Sequence, residues 1–416
     1  MFGFGAGNRP DQVGLAPEDG EIRRAGAEAE RRSALIDDLL SRQSILPASG
    51  AYAEVAQAVT EANAGVARAE LRVARLKAEA KSKNWLPSIG PSVNLTSLGS
   101  IAASILIEQA IFDGGARKAE RAYAAADVEV AAATLSMDAN QRVFEGLGHY
   151  IRAQRAREQA QLAERAVGRM AEYERIMRLR VEGGMSDRSE QRVIEQKAAE
   201  MRLTMTNDRF TADQAMAELN AMAARPLNHL SGLGALPQDQ GGPEPVSVLK
   251  ARGDGARTLA EAQLLRAGYG PNLKAVGNWD DDDGLLGGLS IGVENGLGLG
   301  NGAEMAALNA TGDVVDRRIA QSAEEANRRI VMLNHELATL AAREAEGAGV
   351  LAQTEASLAM FTEQYKVGRR PLMELVGMFE TFSKMERDQA SLKYEMALLR
   401  LEMARDRGVL ANGAAL

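Results

Sequence analysis

Between Pro91 and Pro226 the chain has no proline, and between Pro271 and Pro371 it has none again. Each interval opens on alternating apolar residues and then keeps a helical period for roughly 65 residues, about 100 Å of unbroken α-helix at 1.5 Å per residue. A helix of that length cannot fold back over a small domain. It must lie in an elongated molecule beside others like it.

The two intervals are copies of one plan. Phe112 to Leu299 and Gly115 to Gly302 are each 187 residues (299 − 112, 302 − 115), and the helix-breaking glycines Gly183 and Gly368 are 185 apart (368 − 183). A spacing this long is not a solenoid unit. It describes a duplicated half, each built as helix, strand, strand, long helix, tip, helix.

The pattern predicts a short helix near Ser33–Gln43 and one helix from Ala51 to Lys83, ended by the extended geometry that Pro87 imposes on Leu86. Strands are expected at Ile89–Leu98, Ile101–Phe112, Leu273–Trp279 and Leu289–Leu299, with "SLGS" as the first hairpin turn and "DDDDGLLGG" as a loop. Helices follow at Asp187–Ala224 and Asp254–Ala267, a second long one at Ala303–Val367, and a last one at Leu372–Arg407. These elements divide the chain into a loose extension (1–32), a first repeat (33–225, β-hairpin 88–112, tip near 182–187), a linker (226–253), a second repeat (254–410, β-hairpin 272–299, tip near 367–372) and a tail (411–416).

Composition agrees with long helices. The chain is 45% hydrophobic but only 4% aromatic, so Ala, Leu, Met and Val must fill the seams between helices. Its net charge of −8 disfavours nucleic acid as a partner. Without cysteine there are no disulfides, thiolate metal sites or Cys nucleophiles. His149, His229 and His335 lie far apart and have no metal-ligand spacing. No catalytic constellation, metal site or cofactor is expected, so the chain is read as a non-enzyme.

No apolar run reaches the length of a transmembrane helix. The strands are another matter. In Ile101–Phe112 one face carries Ile101, Ala103, Ile105, Ile107 and Ile111, and the other Ala102, Ser104, Leu106, Glu108 and Ala110. In Leu289–Leu299 the apolar face is Leu289, Ile291, Val293, Leu297 and Leu299. About ten alternating residues is the length of a membrane β-strand. Four such strands cannot close a barrel, and an open edge is not tolerated in lipid. The strand count therefore predicts an oligomer sharing one barrel.

Three stretches, "QAIFDGGARKAERAYAAADVEVA", "RLRVEGGMSDRSEQRVIEQKAAEM" and "EQYKVGRRPLMELVGMFETFSKMERDQ", resemble the TolC-type outer membrane efflux proteins in order and spacing. The resemblance spans roughly 33–410. It implies a mainly α fold with a membrane β-barrel contribution: an internally duplicated long α-helical hairpin tube plus four β-strands per chain, closing as a homotrimer with a 12-stranded barrel and an α-barrel. It implies a passive exit duct in the outer membrane that extends into the periplasm. The implied partners are a periplasmic adaptor (membrane fusion) protein, an inner-membrane ABC or RND-type transporter, and outer membrane lipid. The cargo is either protein in type I secretion or small molecules. The absence of a lipid-modified N-terminal cysteine favours the first. The opening "MFGFGAGNRPDQ" has no signal-peptide pattern, so a signal peptide is not present in this numbering. A soluble coiled-coil structural or adaptor protein is the alternative reading.

In that family the helix tips close the periplasmic end and meet the adaptor. By position the tip residues are Glu182, Gly183, Gly184, Asp187, Arg188, Lys366, Gly368, Arg369, Arg370 and Glu374. Gly183 and Gly368 are expected to supply the turns' positive φ. The strand-to-helix junctions are Asp113, Gly114, Gly115, Asn301 and Gly302, with Asp113 and Asn301 as helix caps. Both junctions are expected at one height, the periplasmic rim of the barrel. The second lacks the Phe and Asp of the first. The first tip has Arg180 for the Tyr365 of the second, and Ser189 for its Glu374. Asp280–Asp283 is read as a solvated loop rather than a cation site. The GxGxxA spacing at Gly298, Gly300 and Ala303 lacks the βαβ context of a nucleotide site. Met201, Met205, Met216 and Met222 are read as seam packing.

Overall fold

The computed structural model describes residues 33–95, 101–237, 241–280, 284–293 and 300–415. Its helices are α1 (Ala34–Ser41), α2 (Ala51–Glu61), α3 (Val66–Ser82), α4 (Ala116–Glu182), α5 (Arg188–Met222), α6 (Val246–Gly268), α7 (Asn301–Lys366) and α8 (Leu372–Asp406). Strands β1 (Ser88–Leu95) and β2 (Ile101–Phe112) precede α4, and β3 (Pro271–Asp280) and β4 (Gly284–Val293) precede α7. The duplication is close in length: α4 and α7 have 67 and 66 residues, α5 and α8 have 35 each.

The helices form a wall. Toward the tips the contacts run α5–α4–α8–α7, and toward the sheet α3–α4–α6–α7. Thus α4 lies inside the wall and α7 forms one edge, with α3 and α5 forming the other. Burial follows position. The interior α4 buries Leu135, Val143, Leu147, Ile151, Met170 and Met177 among many others, whereas the equally long α7 buries only Val315, Leu333, Leu340 and Leu358. On the edges, Val331, Met332, Val350 and Met360 of α7 and Val193, Leu203 and Phe210 of α5 stay exposed.

Three tyrosines and aliphatic side chains make the central core. Tyr52 and Tyr150 meet edge to face at 6.1 Å, packed with Val59, Leu147, Leu219, Tyr394 and Leu401. The approach of α2 to α4 is close because Gly146 has no Cβ: one there would stand 2.7 Å from Val59 Cγ2. A second core near the tips joins all four long-hairpin helices through Met170, Tyr173, Ile194, Leu358, Leu375 and Phe379.

Several boundaries differ from the sequence reading. The helix expected over Ala51–Lys83 is two helices, because Gly65 adopts φ 72° and its N–H bonds Asn63 Oδ1. The linker 226–253 is not loose throughout. Leu227 and Leu230 enter the central core, and α6 begins at Val246 rather than Asp254. The tail is anchored as well. Buried Asn140 accepts the N–H groups of Leu410 and Ala411 through Oδ1, and Gly413 N–H donates to Arg42 O. The segment "GLLGG" is part of β4, not a loop. The "SLGS" turn, Asp281–Asp283, and Leu297 and Leu299 of the expected fourth strand lie outside the described residues.

The four strands form one antiparallel sheet in the order β1-β2-β3-β4, so β2 and β3 join the two halves and β1 and β4 are its edges. A bulge at Ile111 shifts the register so that Phe112 pairs with Leu273.

Candidate functional site

Three places could carry function: the sheet, the junctions below it, and the tips at the far end of the long hairpins.

Register sorts the sheet into two unlike faces. One carries Ile89, Ile105, Ile107, Gln109, Phe112, Leu273, Ala275, Trp279, Leu289, Ile291 and Val293. The other carries Ser104, Leu106, Glu108, Asn272, Lys274, Asn278 and Ser290. No helix among the described residues covers the apolar face. Ile89 and Leu289 are 69% exposed, Ile291 77% and Trp279 49%. In water an uncovered apolar sheet face of this extent costs free energy at every residue. In lipid it is the stable arrangement.

The junctions sit at one end of this sheet. Phe112 pairs with Leu273, and Leu273 with Ile291, so β2 and β4 both leave the sheet at the same rim. At the first junction Gly114 and Gly115 take φ 61° and 94°, angles that favour glycine. Asp113 accepts the N–H of Gly115 (3.0 Å) and of Arg117 (3.0 Å), which satisfies donors of the first turn of α4. At the second junction the cap position belongs to Gly300, not Asn301, which with Gly302 lies inside the first turn of α7. The residues 294–299 before it are outside the described residues.

The tips are built alike. Gly184 N–H bonds Val181 O and Met185 N–H bonds Arg180 O; Gly368 N–H bonds Tyr365 O and Arg369 N–H bonds Gln364 O. This double bond pattern closes a helix whose next residue is left-handed. Gly184 and Gly368 supply it, both at φ 71°. Gly183 does not: it ends α4 at φ −80°. The true offset is therefore 184 residues (368 − 184), which also matches α5 to α8 (372 − 188). With it, Glu190 rather than Ser189 corresponds to Glu374, and Val181 rather than Arg180 to Tyr365.

The side chains repeat one tie with its polarity reversed. Arg180 Nε donates to Ser186 Oγ at the first tip, and Arg370 Nε donates to Gln364 Oε1 at the second. Arg370 also pairs with Glu374 and lies over the Phe361 ring at 3.9 Å. Asp187 caps α5, accepting the N–H of Ser189 (2.7 Å) and Glu190 (3.1 Å). The Ser189 hydroxyl, then these backbone donors, hold its carboxyl below the usual range. Lys366 pairs with Glu363 at 2.7 Å. The exposed side chains of Glu182, Arg188 and Arg369 make no ion pair with another described residue. Sequence reasoning missed Met185 and Val367, apolar yet 65% and 67% exposed, one per tip. Their signal was an apolar residue within a turn of polar ones.

Between tips and centre, α8 is bound to α4 by polar contacts. Gln159 and Arg387 exchange bonds through side chain and carbonyl, Arg387 also pairs with Asp208 at 2.7 Å, and Lys393 and Tyr394 both reach Glu158. Among the described residues no group of His, Asp or Glu could hold a metal ion, and no helix is long and apolar enough to cross a membrane.

No family model and no curated protein matches the sequence. Solved structures do match the fold. The outer-membrane channel OprN aligns over 97% of this chain and 98% of its own, with TM-score 0.75 at 14% identity. The outer membrane protein VceC of Vibrio cholerae aligns over 86% and 96%, with TM-score 0.74 at 13% identity. The chain has the TolC-type outer-membrane channel fold. The MtrE outer membrane channel of Neisseria gonorrhoeae, in its open state, shares this channel fold over 89% and 93%, with TM-score 0.71 at 15% identity. The mainly helical architecture with one small sheet, which the resemblance implied, is thus present.

Proposed function

We propose that this chain is one subunit of an outer-membrane exit duct that extends into the periplasm, a passive conduit and not an enzyme. The observation that carries the reading is the uncovered apolar face of the sheet, backed by a polar face suited to a water-filled lumen. The channel fold at low identity supports the same conclusion.

The sheet has two open edges, β1 and β4, and the helical wall has two, α3/α5 and α7. All join side by side if copies repeat head to tail around a ring. Three copies give twelve strands, and we propose a homotrimer. The Ala-rich long helices then form the wall of a periplasmic tube. The tips are its lower mouth, where a periplasmic adaptor and an inner-membrane transporter of the ABC or RND type would engage. The first tip loop, Glu182–Asp187, carries two acids and no base. The matching loop, Lys366–Pro371, carries three bases and no acid. Neighbouring tips in such a ring are of opposite sign, which supports a mouth held closed by several weak exposed pairs. Both type I protein secretion and small-molecule efflux fit this duct.

Fractionation and heat-modifiable migration test the reading together. The expected result is recovery with the outer membrane as a detergent-stable oligomer that falls to monomer on boiling. A monomeric protein in the soluble fraction would return the chain to the coiled-coil class.

A further inference from the structure

Where the helical wall meets the sheet, the connection from α3 to β1 is held in a fixed place. Asn84 donates to Arg117 O (3.1 Å) and to Glu120 Oε2 (3.0 Å), and accepts from Arg121 (2.7 Å). Lys81 pairs with the same Glu120 at 3.0 Å. Partial burial opposes ionisation of Glu120, yet these partners hold its carboxyl below the usual range. Next in the chain, Trp85 presents its carbonyl to Gln109 Nε2 at 2.8 Å. Gln109 points from the apolar face of the sheet, so Trp85 is fixed on that face. Despite this anchoring Trp85 is 61% exposed and Leu86 44%. Ile111 and Phe112, exposed at the bulge, continue the patch onto the sheet's apolar face.

Beside this apolar patch stand exposed bases. Lys118, in the first turn of α4, has no ion pair with another described residue. Among the described residues Lys83 pairs with Glu79 alone, at 3.1 Å, with both side chains more than 60% exposed. Such a pair is too well solvated to hold the lysine against a competing anion. Asp113, at 3.8 Å, engages Arg117 rather than the lysines.

We propose that Trp85 and Leu86, flanked by Lys83 and Lys118, form an interfacial anchor that binds the headgroups of anionic phospholipid at the helix-side rim of the membrane band. An indole fixed by its backbone, with its ring free, prefers the headgroup layer, where one edge is wet and the other apolar. Both lysines belong to the helical side of the junction, Lys83 at the end of α3 and Lys118 in the first turn of α4. Anionic phospholipid is the occupant that matches both parts: the apolar patch is continuous with the lipid-facing side of the sheet, and the charge beside it is positive. The site rests on the proposed membrane reading and adds a lipid preference to it.

The chain contains two tryptophans, so Trp279→Phe leaves Trp85 as the single tryptophan, excited selectively at wavelengths tyrosine does not absorb. Assembled in bilayer discs, that protein should be quenched more by lipid brominated near the glycerol end than near the methyl end of the acyl chain. Brominated phosphatidylglycerol should quench more than brominated phosphatidylcholine. Adding Lys83→Glu or Lys118→Glu should lower that preference roughly five-fold per lysine, with the quenching depth unchanged. Equal quenching by the two lipids, or no effect of the lysine changes, overturns the proposal. So does an emission identical in detergent and in lipid with no quenching, which would mean a neighbouring copy covers Trp85. The companion protein, Trp85→Phe, reports from Trp279 on the sheet. If Trp279 is also unquenched, the membrane reading falls and this site with it; if only Trp85 is unquenched, the site alone falls.

Discussion

Gly184 and Gly368 carry the geometry of the tips because nothing but the absence of a Cβ permits φ 71° after a helix at low cost. Gly184→Ala and Gly368→Ala should each strain their tip by about 1–2 kcal/mol, read as faster amide exchange in the last turns of α4 and α7. Gly183→Ala should cost less: its backbone is ordinary, and one of the two nearest atoms to a new Cβ is the flexible end of Met185, at 3.3 Å. The sequence showed a glycine doublet but not which member turns left-handed. Only the hydrogen bonds that close the helix decide that. Asp187 makes a pH prediction of definite sign. Its carboxyl titrates lower in the folded tip than in the unfolded chain, so the cap stabilises above the unfolded value and is lost as pH falls through the folded one. Amide protection at Ser189 and Glu190 should therefore hold at neutral pH and drop in acid. In Asp187→Ala it should already be low at neutral pH and no longer change with acid.

At the scale of elements, the two long helices and the tips were legible because proline-free periodicity is a local signal. The order of helices in the wall was not, since α4 and α7 have similar composition and differ only in how many neighbours surround them. The difference predicts unequal mutational cost. Leu147→Ala, in the fully buried centre of α4, should destabilise by about 2–5 kcal/mol in thermal unfolding. Val331→Ala, 59% exposed on α7, should leave unfolding of the separated subunit within about 0.5 kcal/mol. Gly146→Val should fail more severely than its small size implies, because Gly146 is buried and a new side chain there is driven into Val59. Errors at this scale had local causes. The break between α2 and α3 hung on one left-handed glycine inside an Ala-rich run. The fourth strand starts at Gly284 rather than Leu289, because "GLLGG" has the composition of a loop while its pairing with β3 makes it a strand. Anchoring of the tail by Asn140 involves partners 270 residues apart, beyond any window of periodicity.

The whole molecule is divided between surfaces suited to two solvents. One face of the sheet is apolar and bare, the helices below it carry Arg and Glu, and both junctions leave by the same rim. A duct crossing from lipid to water needs that division, and closure by three copies would seal every edge the single chain leaves open. The chain is free of cysteine, so single cysteines can be placed and spin-labelled one at a time along Asn272–Trp279 in the protein assembled in lipid. The account predicts alternation with period two: labels at 273, 275, 277 and 279 collide with oxygen dissolved in lipid, and labels at 272, 274, 276 and 278 with an aqueous nickel chelate. Uniform access to the nickel chelate on both faces would contradict it.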